Sequence, residues 1–342
     1  MDAKMSLRIK AVIMVFIMIA AMAFVPFLFA DTAKAAAVSL PSQIFIGKES
    51  VYDYGVHNGV VGWSATPTKL VGNGWKYVPS TNTLYLHGSI NGYYSVAGVT
   101  RAYGVVTAYG GGINIVIDGP TILRAGDGIT SGLLSEGTLK LTVKKNLTID
   151  AGSGIIANSG NIYMTGCGKT VIKAQGAMDG GIYTSGTTNN STGKVTKSSL
   201  TIKDMKSLYV TSKAGFAISG WESNINIINS NVKAVGYGGG IATQYGDLNI
   251  TESKAGYCVS AKATGKGGAA VMAISKCYSG YIGKGSGAAK LTIGKNTKIV
   301  TSSIAKIATK TISFKYSKLT NCKVKAATAV HSGGILKSVT IK

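Results

Sequence analysis

A short apolar pattern recurs along the C-terminal two thirds of the chain, in which two apolar residues flank a single residue that is usually polar. The pattern first occurs at Ile113-Asn114-Ile115, and six of the eight intervals between successive copies measure 21 to 27 residues. The later copies begin at Leu139, Ile162, Leu200, Ile225, Leu248, Leu291, Ile312 and Val339. A period of this length indicates stacked structural repeats. The two longer intervals contain Gly- and Ser-rich insertions, at 187–198 and 262–290, which we expect to be loops.

Each repeat contains two further short alternating segments. The repeat at Leu139 continues with Leu147-Thr148-Ile149 and then with Gly154-Ile155-Ile156-Ala157. A related motif, Gly128-Ile129-Thr130-Ser131-Gly132, predicts the corresponding strand of the preceding repeat. Such a triangular turn of three short strands cannot bury its apolar face alone, so successive turns must stack. We predict an all-β parallel β-helix of about nine to ten turns over residues 111–342; an antiparallel sandwich or barrel is the alternative.

Residues 36–110 differ from the repeats in being rich in aromatic side chains. They hold eight of the 17 tyrosines together with Trp63 and Trp75. The first turn of a solenoid exposes a cross-section of its core, so we expect this segment to form an N-terminal cap and the first turn. The alternative is a platform on which sugar rings stack against aromatic faces.

Residues 1–35 have the pattern of a secretory signal peptide. Lys4, Arg8 and Lys10 precede a run of 20 uncharged residues, and Ala33-Lys34-Ala35 supplies small residues for cleavage. The run is long enough to span a bilayer, so an uncleaved anchor is the competing interpretation. We expect cleavage near Ala35 and an extracellular protein, free or associated with the cell surface, without membrane contact afterwards.

The charge balance points to an acidic partner. The whole chain carries a formal net charge of +23, and residues 36–342 retain 32 basic and 11 acidic groups, or +21. For an exported protein this favours a polysaccharide or cell-wall polyanion, and we expect no specific nucleic acid partner. Almost all of the cations are lysines, which suit diffuse attraction better than bidentate recognition. Alternatively, the lysines serve only to keep a sheet protein soluble.

The four cysteines are Cys167, Cys258, Cys277 and Cys322. They form no Cys-x-x-Cys pair and lack a nearby His, which argues against a zinc site. We expect buried thiols at Cys167, Cys258 and Cys322, and a Cys258–Cys277 disulfide is the alternative.

The run Gly74-Trp75-Lys76-Tyr77, followed by Thr81-Asn82-Thr83-Leu84-Tyr85-Leu86 and the repeated turns, resembles a family of secreted Gram-positive surface proteins. These proteins are built on a right-handed, pectate-lyase-like parallel β-helix and are described as carbohydrate-binding. The resemblance covers residues 42–342. It implies non-catalytic binding of plant or cell-wall polysaccharide, sometimes assisted by Ca²⁺, and it transfers no individual binding residue.

Three charged residues share one position in the repeat. Arg124, Asp150 and Lys173 each follow the start of their repeat by 11 residues, so we expect a stacked column of alternating charge. Such a column is typical of a surface salt bridge. The alternative is a site for uronate, or the catalytic site of a polysaccharide lyase acting on uronic-acid polymers. Glu222 and Asp247 are the nearest approach to the carboxylate pair of a hydrolase, but they differ in phase by two residues.

Trp221 follows an apolar segment, and Tyr237 and Tyr245 follow one repeat later. We take these three aromatic residues, with Arg124, Asp150 and Lys173, as the candidate ligand-binding residues. Whether the protein is an enzyme stays open, although the residues favour a non-catalytic binding protein without a cofactor, with Ca²⁺ left open. A structural adhesin without glycan specificity is the remaining alternative.

Overall fold

The computed structural model describes residues 40–57, 60–96, 100–126, 128–176, 180–189, 192, 194–244, 246–251, 257–265 and 269–274, and short segments at 291–293, 298–301, 319–320, 330–332, 335–338 and 340–341. The only helical segment among these residues is the 3-10 turn Pro79–Thr81, so the prediction of an all-β chain is confirmed. No helix in the described ranges is long and apolar enough to cross a membrane.

The strands form three long, mainly parallel sheets. Sheet 1 contains the first halves of Thr83–Asn91 and Ile113–Arg124, then Leu139–Val143, Ile162–Gly166, Ser198–Lys203, Ser223–Ile228, Leu248–Thr251, Leu291–Ile293 and Leu319–Thr320. Sheet 2 contains the second halves of the same two strands, then Leu147–Ala151, Lys169–Ala174, Ser207–Ser212, Val232–Gly236, Cys258–Ala263, Lys298–Thr301 and the antiparallel Thr340–Ile341. Sheet 3 contains Gly104–Tyr109, Ser131–Ser135, Ser153–Ala157, Ile182–Ser185, Phe216–Trp221, Gly239–Gln244 and Ala269–Ile274.

Each turn of the chain supplies one strand to each sheet, in the order sheet 1, sheet 2, sheet 3. Equivalent residues of neighbouring turns lie side by side, as when Leu139 pairs with Ile113 on one side and with Ile162 on the other. About six turns are described. The predicted parallel coil is therefore confirmed as a parallel β-solenoid, whereas the repeat at Ile312, counted among the predicted nine to ten turns, lies outside the described residues. The copy predicted at Val339 is wrong, because Thr340–Ile341 pairs antiparallel with sheet 2 instead of extending sheet 1.

Stacking in register turns the apolar pattern into continuous columns inside the solenoid. One column consists of Leu84, Ile115, Leu141, Met164, Ile202, Ile227 and Ile250. None of its members is more than 1% exposed. Burying a side chain of this size contributes about 1.5 to 3 kcal/mol, and branched Ile packs well on a pleated surface. These columns account for the constant phase of the apolar pattern.

A column of glycines lets sheet 3 approach sheet 2 closely inside the solenoid. Gly132, Gly154 and Gly181 occupy equivalent positions in three successive turns. A Cβ atom at Gly154 would lie 2.3 Å from Ile172 Cγ2 and 1.9 Å from the carbonyl oxygen of Gly181. Both distances are far below van der Waals contact, so a larger residue would force the sheets apart or disturb the register between turns.

The outer faces of the sheets differ in exposure. On sheet 3 the outward residues Leu134, Ile156 and Ala242 are only 8%, 6% and 5% exposed, and Tyr183 and Ser219 of the same column are half-buried. On sheets 1 and 2 the outward positions are half-buried or exposed and mostly polar. A large ligand therefore has access to sheets 1 and 2 and to the corner between them.

The structure corrects the predicted strand at 128–132. The strand is Ser131–Ser135 instead, and Ile129 is 53% exposed. Gly132-Leu133-Leu134-Ser135 matches Gly154-Ile155-Ile156-Ala157 of the next turn, so Leu133 takes the inward position opposite Ile155. Both segments begin with Gly followed by an apolar residue, and the packing against sheet 2 selects the one whose glycine faces inward.

The insertion at 187–198 is more ordered than a loop, because Thr187–Asn189 and Lys194–Thr196 pair as an antiparallel hairpin. The expectation of a buried thiol is wrong for Cys167, which is exposed because it follows the end of strand Ile162–Gly166 at a corner. Cys258 is half-buried. Cys277, the partner in the alternative disulfide, and Cys322 lie outside the described residues.

Antiparallel strands cover the start of the solenoid. Gln43–Ile46 pairs with the first strand of sheet 3, and Trp75–Val78 pairs with the first strand of sheet 1. This pairing satisfies backbone groups that an open sheet edge would leave available for aggregation. The smaller antiparallel pairings are Gln43–Ile46 with Glu49–Ser50, Tyr54–His57 with Val60–Trp63, Val71–Gly72 with Trp75–Val78, Ser95–Val96 with Thr100–Arg101, and Val330–Ser332 with Ile335–Ser338.

Glu49 links three parts of the cap. Its carboxylate accepts hydrogen bonds from Lys69 Nζ at 2.9 Å and from the indole N–H of Trp75, which is itself 1% exposed. Burial alone would raise the pKa of Glu49, but the hydrogen bonds from Lys69, Trp75 and the Asn73 backbone, with the charge of Lys69, outweigh it. The pKa of Glu49 is consequently lowered from its ordinary value of 4.5.

We expect Gly154→Ala to lower the free energy of unfolding by roughly 1 to 3 kcal/mol, because the added methyl group collides with Ile172 and the Gly181 carbonyl. Chemical denaturation followed by circular dichroism measures the change. Gly62→Ala is the matched control, since it also lies in a strand and a Cβ there meets nothing within 4 Å. Equal stabilities of the two variants would contradict the close approach of sheets 2 and 3.

We expect acid to loosen the cap through Glu49. A carboxylate whose folded pKa is lowered stabilises the fold above its unfolded pKa, and this contribution is lost as the pH falls through the folded value. The melting temperature, measured by tryptophan fluorescence, should therefore fall between about pH 5 and pH 3. Glu49→Gln should reduce this dependence, whereas Asp204→Asn, at an exposed corner, should retain it. Identical pH profiles for wild type and Glu49→Gln would disprove the role of Glu49.

Candidate functional site

A column of mostly polar residues crosses the outer face of sheet 2. The strand register places Arg124 beside Asp150 and Asp150 beside Lys173, as their equal spacing predicts. The column continues to Asn91 in one direction and to Thr211, Val235 and Lys262 in the other. Neighbouring members belong to adjacent strands, which lie about 4.8 Å apart.

The expected salt bridge at Asp150 does not form. Within the described part of the chain, no nitrogen of Arg124 or Lys173 lies within the 4.0 Å ion-pair distance of the Asp150 carboxylate. Gln175 Nε2 donates to Asp150 Oδ1 at 3.0 Å instead. Arg124 and Lys173 are both exposed, so water competes for their charges and a pair between strands would gain little. The two cations are therefore accessible to an external anion.

An aromatic residue stands next to this column on the same face. Tyr209 occupies the neighbouring outward column, between Val171 of the preceding turn and Lys233 of the following one. Lys233 Nζ lies 5.0 Å from the centre of the Tyr209 ring, which is within range of a cation–π interaction. The contact holds the ammonium group over sheet 2, close to the charged column.

Further lysines gather where sheet 1 turns into sheet 2, in three successive turns of the solenoid. We call this group the lysine corner, and it consists of Lys144, Lys145, Lys169, Lys203 and Lys206. All five are exposed. The corners stack because Lys169 N donates to Asn146 Oδ1 of the preceding turn and Lys206 N donates to the Gly166 carbonyl. The outer turns of the group are about 10 Å apart, or two strand spacings.

Few acidic side chains offset this charge. Two carboxylates lie at the same corner, Asp204 within the group and Asp118 one turn before Lys144, and both are exposed. Among the described residues, the ion pair of Lys69 with Glu49 lies in the cap, whereas that of His87 with Asp118 lies at the same corner, in the two turns before Lys144 and Lys145. Five cations facing two carboxylates within a few strand spacings produce a positive surface. Sequence reasoning missed this corner because it compared charges within strands, whereas the lysines occupy several positions around the corner and only Lys145 and Lys206 share an offset from the start of their repeats.

The structure does not bring the predicted aromatic residues together. Trp221 is the last residue of its sheet 3 strand and is half-buried beside Ser185 and Gln244. Tyr237 is 51% exposed, but it lies in the turn that leads from sheet 2 into sheet 3. The two therefore lie at opposite ends of sheet 3, roughly 17 Å apart by strand length. Tyr245 lies outside the described residues.

The carboxylates considered for hydrolysis do not share an accessible cleft. Glu222 is 2% exposed and has a left-handed backbone with φ 51°. Asp247 is half-buried and stands beside Asn224, whose Oδ1 accepts a hydrogen bond from its backbone N–H at 2.8 Å. A polymer cannot reach Glu222 without displacing the residues around it. The described residues also contain no group of three or more His, Cys, Asp or Glu side chains that could hold a metal ion.

Comparisons of this sequence with protein-family models, with curated proteins and with solved structures found no match. The parallel β-solenoid is therefore the part of the resemblance that the structure itself shows.

Proposed function

We propose that the protein is a secreted, non-catalytic binding protein that adheres to an anionic polysaccharide, a uronic-acid polymer or a cell-wall polyanion. The lysine corner is the observation that carries this proposal. Its five exposed ammonium groups stand on three stacked turns, beside Arg124 and Lys173 on sheet 2. Together they form a fixed array of like charges on a rigid surface.

Such an array suits a polymer better than a small anion. Lysine offers a compact charge without the planar fork that recognises a single carboxylate in two hydrogen bonds. A polyanion that lies along the corner contacts several ammonium groups at once, and each additional contact becomes intramolecular after the first. Weak individual attractions thus add up to useful affinity.

The sequence favours a location of this surface outside the cell. The pattern of residues 1–35 favours export, and the net charge of +21 over residues 36–342 attracts polyanions from a distance. The sparse acidic residues favour binding over catalysis.

We expect Lys144→Gln/Lys145→Gln/Lys169→Gln to weaken binding to polygalacturonate and teichoic acid by about 100-fold at low salt, at ~1 kcal/mol for each lost cation. Isothermal titration calorimetry at several salt concentrations measures the affinity. The slope of log K against log [salt] should fall by about two to three, as in other polyelectrolyte binding. Asp150→Asn should bind more tightly than wild type, because it removes a negative charge that repels the anionic ligand.

The matched control is Lys48→Gln/Lys76→Gln/Lys213→Gln, which removes the same charge from exposed positions elsewhere. If both triple variants lose the same affinity, only net charge matters and the corner is not a site. Unsaturated uronate, detected by absorbance during the titration, would replace the binding proposal with a lyase. Absence of binding to any polyanion at low salt would leave the adhesin alternative.

A further inference from the structure

The N-terminal cap contains a surface cavity of about 470 Å³ that lies apart from the lysine corner. Three aromatic residues line it, Tyr52, Trp63 and Tyr77, together with Pro41, Pro67 and Pro79. Its volume lies within the range of sites that hold small organic ligands. We call it the cap cavity.

Trp63 offers a broad apolar surface in this cavity. The rings of Phe45 and Tyr54 pack against it in T-shaped geometry, with interplanar angles of 71° and 63°, and Tyr94 is tilted by 59°. None of these three neighbours lies parallel to the indole. The ring is fixed in place by its neighbours and is only partly buried, so it is preorganised to pack against a ligand.

Polar groups stand beside the apolar ones. Gln43, Ser64 and Thr66 line the cavity, and the Ser64 hydroxyl is held by a hydrogen bond to the Thr66 carbonyl at 2.8 Å. The hydroxyl of Tyr52 donates to the Pro41 carbonyl at 2.9 Å, and that of Tyr77 donates to Asn82 Oδ1 at 3.1 Å. Tyr52 and Tyr77 are only 4% and 1% exposed, so a ligand meets the exposed or half-buried side chains of Ser42, Gln43 and Thr66 instead.

The cavity carries no formal charge. None of the described residues that line it is Asp, Glu, Lys, Arg or His. Burial, with the neighbouring Tyr52, raises the pKa of Tyr77 to about 12, and burial also raises the pKa of Tyr52. Both phenols therefore stay neutral at physiological pH. A charged ligand would lose hydration here without gaining a partner of opposite sign.

We propose that the cap cavity binds a neutral saccharide. A sugar ring has an apolar face of C–H groups that can pack on Trp63 and a rim of hydroxyls that can pair with Ser42, Gln43 and Thr66. A proline-rich peptide could also use aromatic and proline surfaces, but it would leave the polar side of the cavity with fewer partners. This site does not rest on the proposed binding of polyanions, which uses another surface.

Filling the cavity tests the proposal. Calorimetric titration of the full chain with cellopentaose and xylopentaose should show saturable binding that persists at high salt, because no charge is involved. Ala65→Trp places an indole at the exposed wall of the cavity and should weaken this binding at least tenfold. Val56→Trp is the matched control, since Val56 is 69% exposed and does not line the cavity. Polygalacturonate binding, unchanged in both variants, reports that the protein is folded and tests the lysine corner separately.

Tryptophan fluorescence provides a second readout that does not depend on Ala65→Trp. Addition of the bound oligosaccharide should change the emission of wild type and of Trp221→Phe, but not that of Trp63→Phe, which preserves ring packing in the cap. The proposal is overturned if neither neutral oligosaccharide binds, or if binding and the fluorescence change survive both Ala65→Trp and Trp63→Phe. It is equally overturned if a proline-rich peptide binds to the wild type, neither saccharide binds, and Ala65→Trp abolishes the binding of the peptide.

Discussion

The register between successive turns is the constraint on which the rest of the structure depends. Every solenoid strand hydrogen-bonds to equivalent strands of the turns on either side, so each side chain stands directly beside its counterparts. Inside the solenoid, this requires a column to keep nearly constant size, as Leu141, Met164 and Ile202 do. It also makes the columns depend on one another, because sheet 3 can approach Ile172 only where glycine faces inward.

The same register determines what the outer surface can present. Residues of like charge at equal positions would stand one strand spacing apart and repel one another. Asp150 between Arg124 and Lys173 relieves that repulsion along sheet 2. At the corner between sheets 1 and 2, the lysines are staggered along the chain and directed into solvent, which spreads their charges. The regular spacing of turns thus becomes a regular spacing of cations, while the uncharged cap cavity offers a different chemistry at one end.

The repeat could be predicted from sequence because the inward residues, such as Leu139 and Ile162, are apolar and recur at equivalent positions in successive turns. The exact bounds of single strands could not be predicted in this way. The motifs that begin at Gly128 and at Gly132 fit the strand pattern equally well, and only packing against sheet 2 distinguishes them. The column of Arg124, Asp150 and Lys173 could be predicted because each residue follows the start of its repeat by 11 residues. The separation of Trp221 and Tyr237 could not, because their distance depends on which end of a sheet 3 strand each residue occupies. The lysine corner was missed because its members occupy several positions around corners of equal length, and only Lys145 and Lys206 share one.

The central claim is that stacked cations on a rigid solenoid recognise a polyanion through several simultaneous contacts. The most direct test is the affinity of galacturonate oligomers as a function of their length, measured by calorimetry at constant ionic strength. We expect affinity to rise with each added uronate until the oligomer spans the lysine corner, about 10 Å between its outer turns, and then to increase much more slowly. Affinity that is independent of length, or no stronger for oligomers than for the monomer, would contradict the account.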